Sequence, residues 1–490
     1  MPMRMVAVPA AKPLAAATLA ALLLAGCSMA PAYRPQATAT PAAFKESQPL
    51  PPAGWASATP QDAAARGPWW SAFNDPVLDD LEARAERASP TLSAALARYD
   101  AARAAVRDAS AELLPQVSGS AQIRRERLSG LRPNAVNGAS EYTQRVVGAT
   151  ASYELDLWGR IRNEVSATRA EAQASQADLA SVRLSLQADL ADAYVRLRGL
   201  DAERELLERT VVAFTRARDL TVTRHDGGIA NGLDVNRAKT VLSSARAQLS
   251  DVANQRAALE HQIAALIGEL PSGFSLPVAV KAFAPPTMPT AAPSELLQRR
   301  PDVAEAERRA FAANRRIGVA RAAWFPSLSL NAQGGYNSIR GDVLQSPASF
   351  WTLGPATLLQ TIFDGGRRAA QVKISRADYE AAASDYRASI LTAFREAEDG
   401  LAATRLLAQA SVDQRDAAEA ASRTEQLALT RYRDGASDYL DVVTAQTAAL
   451  EAERAVLQVQ TRRMQATIAL VRAFGGDYRN DIAVAQAAQN

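Results

Sequence analysis

The stretch RYRDGASDYLDV at residues 431–442 decides the fold, because RHDGGIANGLDV at residues 224–235 repeats its pattern. The matched residues all lie 207 positions apart and are Arg224/Arg431, Gly228/Gly435, Leu233/Leu440, Asp234/Asp441 and Val235/Val442. Glycine adopts the positive φ that a tight turn requires. The two stretches therefore predict one type of turn that occurs twice in the chain.

Further landmarks extend this match over most of the sequence. At the same spacing of 207, Gly159-Arg160 matches Gly366-Arg367 and Gly268 matches Gly475, whereas Pro90 and Pro115 match Pro301 and Pro326 at a spacing of 211. The spacing changes where the first copy has a longer loop-like stretch, SGLRPNAVNGAS at 129–140. A near-constant offset over separated landmarks indicates an internal duplication.

The landmarks also predict where the chain divides. Prolines cluster in the connection between the two copies and predict an extended linker. The predicted segments are a signal peptide (1–26), an extended N-terminal arm (27–75), a first repeat (76–268, with a strand pair at 116–157), the Pro-rich linker (269–293), a second repeat (294–475, with a strand pair at 327–363) and a C-terminal tail (476–490).

Long helices dominate each repeat. No proline occurs between Arg160 and Arg224, and apolar residues recur there every seven positions: Leu179, Leu186, Ala193, Leu200, Leu207 and Phe214. This period indicates helices that supercoil around partner helices. A run of this length measures about 100 Å at about 1.5 Å per residue. The pattern of each repeat is helix, two strands, very long helix, glycine turn and return helix.

The strand-like stretches alternate apolar and polar residues, at 145–158 and at 327–336. Such alternation is typical of outer-membrane strands, although a sheet with one buried face gives the same pattern. About four strands per chain are too few for a closed membrane barrel, and an open sheet edge in lipid leaves backbone groups unpaired. A membrane sheet would therefore have to be shared between several chains.

The N-terminus carries a targeting pattern. Arg4 and Lys12 precede an apolar stretch at 14–24, which ends in Leu24-Ala25-Gly26-Cys27. This sequence resembles the bacterial lipoprotein signal, which implies cleavage before Cys27 and attachment of diacylglycerol and an N-acyl chain to it. The alternative is an ordinary secretory signal that happens to precede the chain's one cysteine. Ser28 is compatible with sorting to the outer membrane.

Composition argues against several other functions. The 55 basic and 52 acidic residues nearly balance, and the arginines are spread along the chain, so nucleic-acid binding is not expected. His225 and His261 have no ligand partners at metal-binding spacing. We find no nucleophile motif or phosphate-binding loop. We therefore expect neither an enzyme nor a cofactor other than the lipid on Cys27.

Several motifs together resemble the TolC-like outer-membrane efflux proteins, and within them the lipoprotein branch. They are RPDVAEAE at 300–307, FPSLSL at 325–330, YELDLWGR at 153–160 and TIFDGGR at 361–367. The resemblance implies a mainly α fold with a membrane β-barrel. A homotrimer would form a twelve-stranded barrel and a long α-helical periplasmic tunnel. The resemblance also implies three kinds of partner: outer-membrane lipid, a periplasmic adaptor (membrane fusion) protein and an inner-membrane pump of the resistance-nodulation-division type.

The resemblance places a periplasmic gate at the turns. Asp441 matches the family's gate aspartate, Tyr432 matches a position that ties neighbouring tips, and Asp234 and Asp438 are the related carboxylates. Rings of such carboxylates would favour cations, and their crowding would raise their pKa values. The alternative for Asp234 and Asp441 is that they complement helix dipoles. The expected hairpin-tip and adaptor contacts are Arg224, Gly228, Arg431, Gly435 and Leu440.

This sequence departs from some family members at two gate positions. Thr444 stands where a second acid can occur, and Ser437 stands where a basic residue can. Two alternative functions remain at this stage, namely a periplasmic adaptor lipoprotein and an outer-membrane duct for protein secretion. The adaptor would lack paired strands and a whole-chain duplication. The sequence does not indicate which compounds are exported.

Overall fold

The computed structural model describes residues 28–35, 44–46, 67–131, 140–281, 285–286, 299–339 and 348–476. The signal peptide, Cys27, most of the N-terminal arm, part of the linker and the tail after Gly476 lie outside the described residues.

The two repeats have matching elements. Helix α1 (Pro76–Ala88) comes before these matched elements, and the corresponding positions of the second repeat, 287–299, lie mostly outside the described residues. The first repeat contains α2 (Pro90–Ala111), β1 (Gln116–Leu128), β2 (Ser140–Leu155), α3 (Arg160–Asp226) and α4 (Gly232–Leu266). The second contains α5 (Pro301–Ala322), β3 (Ser327–Ser338), β4 (Ala348–Leu359), α6 (Arg367–Arg433) and α7 (Tyr439–Ala473). The matched helices have equal lengths of 22, 67 and 35 residues.

The apolar residues that recur every seven positions in α3 lie on its buried side. Leu186, Ala193, Leu207 and Phe214 are buried, and Leu200 packs against the two clusters that contain Leu186 and Leu207. The predicted helix is therefore confirmed, and it continues two residues further, to Asp226. In the parts of the chain that the structure describes, no helix is both long and apolar enough to cross a membrane.

The four strands form one antiparallel sheet in the order β1-β2-β3-β4. The central pair joins the repeats, with Arg145 of β2 opposite Ser338 of β3 and Leu155 opposite Leu328. Between β3 and β4 the register shifts near Leu330, as expected for a bulge. The prediction of about four strands per chain is confirmed, and β1 and β4 form the two edges of the sheet.

The chain divides into two compact units, and each takes segments from both repeats. The strand unit (Met1–Gln36, Tyr99–Ser175 and Ala306–Tyr386) contains the sheet. The helical unit (Ala37–Arg98, Gln176–Glu305 and Arg387–Asn490) contains the largest apolar core. That core includes Leu78, Leu190, Tyr194, Leu197, Ile263 and Ile468.

Within the helical unit, the first part of the predicted linker is bound by a buried charge network. Arg256 donates hydrogen bonds to Asp201 (2.7 Å) and to the Leu276 carbonyl (2.6 Å). Arg198 donates to Asp201 and to the Pro277 carbonyl, both at 2.8 Å. Asp201 is fully buried, and its two arginine partners offset the cost of burying its charge.

Candidate functional site: the two hairpin tips

The turns that suggested the duplication lie in the helical unit and have matching backbones. The first tip (224–235) joins α3 to α4, and the second tip (431–442) joins α6 to α7. Gly228 and Gly435 adopt φ values of +76° and +74°, which explains why glycine occupies both positions. The loop-closing hydrogen bonds run from Ile229 N to Arg224 O and from Ala436 N to Arg431 O, both at 2.8 Å.

Each return helix begins with a side-chain cap. The Asn231 side chain accepts a hydrogen bond from Asp234 N at 2.9 Å. The Asp438 carboxylate accepts from Leu440 N at 2.9 Å and from Asp441 N at 3.2 Å. Asp438, which the sequence suggested as a gate residue, is thus the N-cap of α7, where its charge also complements the helix dipole.

The two matched aspartates have different surroundings. Asp234 is only 8% exposed, and its carboxylate lies 3.3 Å from the Arg237 guanidinium. Asp441 is exposed, and among the described residues its carboxylate has neither an ion pair nor a hydrogen bond from a side chain. Thr444 replaces the arginine and donates to the Leu440 carbonyl at 2.9 Å. One carboxylate is therefore neutralised within its own helix, and the other faces solvent.

Arg224 joins the two tips within one chain. Its Nη1 donates hydrogen bonds to the carbonyl oxygens of Tyr432 (3.0 Å) and Arg433 (3.4 Å). Its guanidinium also lies 4.7 Å from the centre of the Tyr432 ring, a cation–π geometry. Both Arg224 and Tyr432 were predicted as tip residues. Their contact was not predicted, because the sequence does not indicate which side chains of two separate hairpins meet.

A small aromatic core lies beneath this contact. The rings of Tyr432 and Tyr439 meet edge to face, with centroids 5.3 Å apart. Ala238 and Val442 are buried in the same cluster, and Tyr432 is 4% exposed. Burial raises the pKa of Tyr439 to about 12. Tyr439 was not predicted as a tip residue, and Gly232 takes its place in the first repeat.

The remaining suggested tip residues lie at the surface. Leu440 is 44% exposed, and Arg431, Gly228 and Gly435 are exposed as well. Their assignment as adaptor contacts stays a prediction, as does lipid attachment at Cys27. Within the described ranges, no group of three or more His, Cys, Asp or Glu side chains is arranged to hold a metal ion.

These features define a class of protein: a duplicated chain in which two long helical hairpins accompany a four-stranded sheet shared by both repeats. The chain belongs to the outer membrane efflux protein family, whose model matches residues 82–269 and 292–476. The two matched regions correspond to the two repeats.

Individual relatives are similar over almost their whole length. The antibiotic efflux pump outer membrane protein ArpC of Pseudomonas putida is 31% identical, over 95% of this chain and 96% of that protein. The pyoverdine export outer membrane protein OpmQ of Pseudomonas aeruginosa is 33% identical, over 94% and 96%. The solved structure of the outer-membrane channel OprN superimposes with a TM-score of 0.83 at 29% identity, over 92% of this chain and 99% of that one.

Proposed function

We propose that this outer-membrane efflux protein is a passive exit duct for small molecules, with a gate at its periplasmic tips. The gate is supported by the difference between the two tips: among the described residues Asp441 is exposed and has no ion-pair partner, whereas Asp234 is buried beside Arg237. The duct itself needs no energy source of its own, because transport would be driven by a pump in the inner membrane.

The proposed assembly is a homotrimer. The sheet of one chain has two edge strands, β1 and β4, whose outer backbone groups need partners in a lipid environment. Pairing β4 of one copy with β1 of the next would satisfy both edges. Three copies would close a barrel of twelve strands, within the range of outer-membrane barrels.

In such a trimer, Asp441 would contribute a ring of three carboxylates at the tunnel mouth. This ring would attract cations and repel anions, because each carboxylate lacks a neutralising partner of its own. Widening the mouth would require the second hairpin to move away from the first. The Arg224–Tyr432 contact opposes that movement, so we assign Arg224 the role of holding the closed tip.

The proposed partners are a periplasmic adaptor and an inner-membrane pump of the resistance-nodulation-division type. Membership in a family whose relatives are named as pump components supports this assignment. The exposed residues Gly228, Arg431, Gly435 and Leu440 are available for adaptor contact. The Arg224 side chain is already engaged with the second tip.

We also propose that the mature chain is anchored in the outer membrane through diacylglycerol and an N-acyl chain on Cys27. The sequence motif supports this assignment, since Cys27 follows Leu24-Ala25-Gly26 and an apolar stretch.

Planar-bilayer recording of the purified wild-type protein tests the duct. We expect discrete single-channel steps that are small and short-lived while the tips are closed. Deleting the gene should sensitise cells to small toxic compounds and leave protein secretion unchanged. The absence of any pore would contradict the channel, and a selective loss of secreted proteins would favour the secretion duct instead.

A further inference from the structure

Helix α1 carries a glutamate on the side that faces the core of the helical unit. The buried residues of α1 are Leu78, Leu81, Glu82 and Ala85. The three apolar ones belong to the largest apolar core. Glu82 follows Leu78 by four residues and precedes Ala85 by three, so it lies on the same side of the helix. An amphipathic helix normally has an apolar side chain at such a position.

The Glu82 carboxyl has no polar partner in the part of the chain that the structure describes. The residue is 1% exposed, and neither Oε1 nor Oε2 takes part in a hydrogen bond. An ionised carboxylate at this place would lose its hydration without any compensating contact. Proteins avoid this cost by keeping such a group protonated.

The charges on α1 itself also oppose ionisation of Glu82. Burial raises the pKa of Glu82 well above its ordinary value, and repulsion from Glu86 and Asp79 raises it further. Glu86 and Asp79 lie about one turn away on either side of Glu82. Among the described residues, no basic side chain lowers the pKa of Glu82.

The elements around α1 contribute charged groups that are already paired with other residues. The 69–73 and 271–277 segments have no ionisable side chain, and His261 of α4 is exposed. The paired groups of α1, α3, α4, α7 and the linker are Arg183 with Glu86, Arg84 with Glu269, Arg472 with Asp189, Arg196 with Asp192, Arg256 with Glu260, and both Tyr194 and Lys281 with Asp75.

Helix α1 connects several parts of the helical unit. Its N-cap, Asp75, accepts a hydrogen bond from the Tyr194 hydroxyl of α3 at 2.6 Å. The same carboxylate lies 2.8 Å from the Lys281 ammonium of the linker. Arg84 of α1 pairs with Glu269, just after α4. A change in the docking of α1 would therefore affect α3, the end of α4 and the linker together.

We propose that the docking of α1 on the helical core depends on a proton bound to Glu82. The neutral carboxyl allows the buried side of α1 to pack on the core, and ionisation of the carboxyl favours release of the helix into water. This inference does not depend on the proposed duct or on its gate, because it concerns contacts within one helical unit.

The direction of the pH dependence follows from the pKa of Glu82 in the two states. In the docked helix the pKa is raised, and in a released helix the carboxyl meets water and its pKa returns to the ordinary range. Docking is therefore most stable at acid pH and weakens as the pH rises towards the pKa of the docked state. Within this interval, each pH unit favours release by about tenfold.

Hydrogen exchange followed by mass spectrometry tests this inference on the purified full-length protein in detergent. Peptides that cover residues 76–88 are compared at pH 5, 6 and 7. The variant Glu82→Gln keeps the size of the side chain and cannot ionise. Glu86→Gln is the matched control, because Glu86 is an exposed, paired glutamate of the same helix. Comparing variants at one pH cancels the chemical effect of pH on exchange.

Between pH 5 and pH 7, exchange in wild-type α1 should accelerate at least about tenfold relative to Glu82→Gln. Glu86→Gln should show the same acceleration as wild type. Glu82→Met also cannot ionise, so its α1 should behave like that of Glu82→Gln, and it replaces that variant if the buried amide prevents folding.

Parallel profiles of wild type and Glu82→Gln would overturn the inference, because they would show that docking of α1 binds no proton at Glu82. Wild-type protection that grows with pH relative to Glu82→Gln would also overturn it and would show an ionised Glu82 paired with a cation. If Glu86→Gln removed the acceleration as well, the effect would belong to the charge of α1 as a whole, and the assignment to Glu82 would be wrong.

Discussion

The two hairpin tips share a backbone and differ in their side-chain contacts. Both have a positive-φ glycine, a side-chain cap and a return helix of 35 residues. In the first tip, Asp234 is paired with Arg237, and Arg224 reaches across to the second tip. In the second tip, Asp441 is exposed, and Arg431, the repeat mate of Arg224, lies at the surface. The two copies of the turn therefore share one backbone and differ in the contacts of their side chains.

The aromatic residues are a second difference between the two tips. Tyr432 and Tyr439 occupy the positions of His225 and Gly232 in the first tip. His225 is exposed, and its Nδ1 lies 2.8 Å from the carbonyl oxygen of Ala230 in its own turn. The tyrosines are buried against each other and against Ala238 of the first hairpin. The proposed gate therefore assigns the first tip as the fixed partner and the second tip as the part that is released.

The largest expected effect comes from removing the buried aromatic ring. Tyr432→Ala should lower the free energy of unfolding by about 3–5 kcal/mol, the range for large-to-small aromatic substitutions in cores. Tyr432→Phe should be nearly neutral, since the Tyr432 hydroxyl has no hydrogen-bond partner in the part of the chain that the structure describes. His225→Ala, at the matched exposed position, should cost about 0.5 kcal/mol or less. Thermal unfolding of the three variants, followed by circular dichroism in detergent, measures these changes. Similar losses of unfolding free energy for Tyr432→Ala and His225→Ala would contradict the proposed difference between the two tips.

The next effect concerns the contact between tips. Arg224→Ala removes two hydrogen bonds and a cation–π contact. We therefore expect the free energy needed to separate the two hairpin tips to fall by about 1–3 kcal/mol. In bilayers, the variant should open more often and more widely than wild type. Arg431→Ala is the matched control, because the Arg431 side chain is exposed and its removal is expected to leave conductance unchanged. An equal response to both substitutions would mean that Arg224 does not hold the tip.

The smallest effect concerns charge alone. Thr444→Arg gives Asp441 the i, i+3 partner that Asp234 already has in Arg237. An exposed helical pair of this kind is worth about 0.2–0.5 kcal/mol, so stability should hardly change. The preference of the pore for cations over anions should fall, as measured by reversal potentials in asymmetric salt. Thr444→Lys should act in the same direction, and an unchanged reversal potential would argue against Asp441 at the mouth.

Much of the backbone was predictable from the sequence, because its signals are local or periodic. The seven-residue period from Leu179 to Phe214 predicted α3, and the alternation at 327–336 predicted β3. The glycine turns at Gly228 and Gly435 were visible as a repeat. Each of these patterns depends on residues that are close together in the chain.

The contacts that distinguish the tips were not predictable. Arg224 and Tyr432 are far apart in sequence, and an arginine before a turn does not indicate its partner. Asp234 is buried and Asp441 is exposed, although each follows a leucine and precedes a valine in the sequence.

The central claim is that the second tip carries the gate and the first tip holds it. Single-channel recording of Asp441→Ala and of the paired change Asp234→Ala with Arg237→Ala, side by side with wild type in planar bilayers, tests this most directly. We predict that Asp441→Ala changes conductance and cation preference clearly, whereas the paired change alters them little because it removes two opposite charges that already neutralise each other. An Asp441→Ala pore identical to wild type would contradict the account.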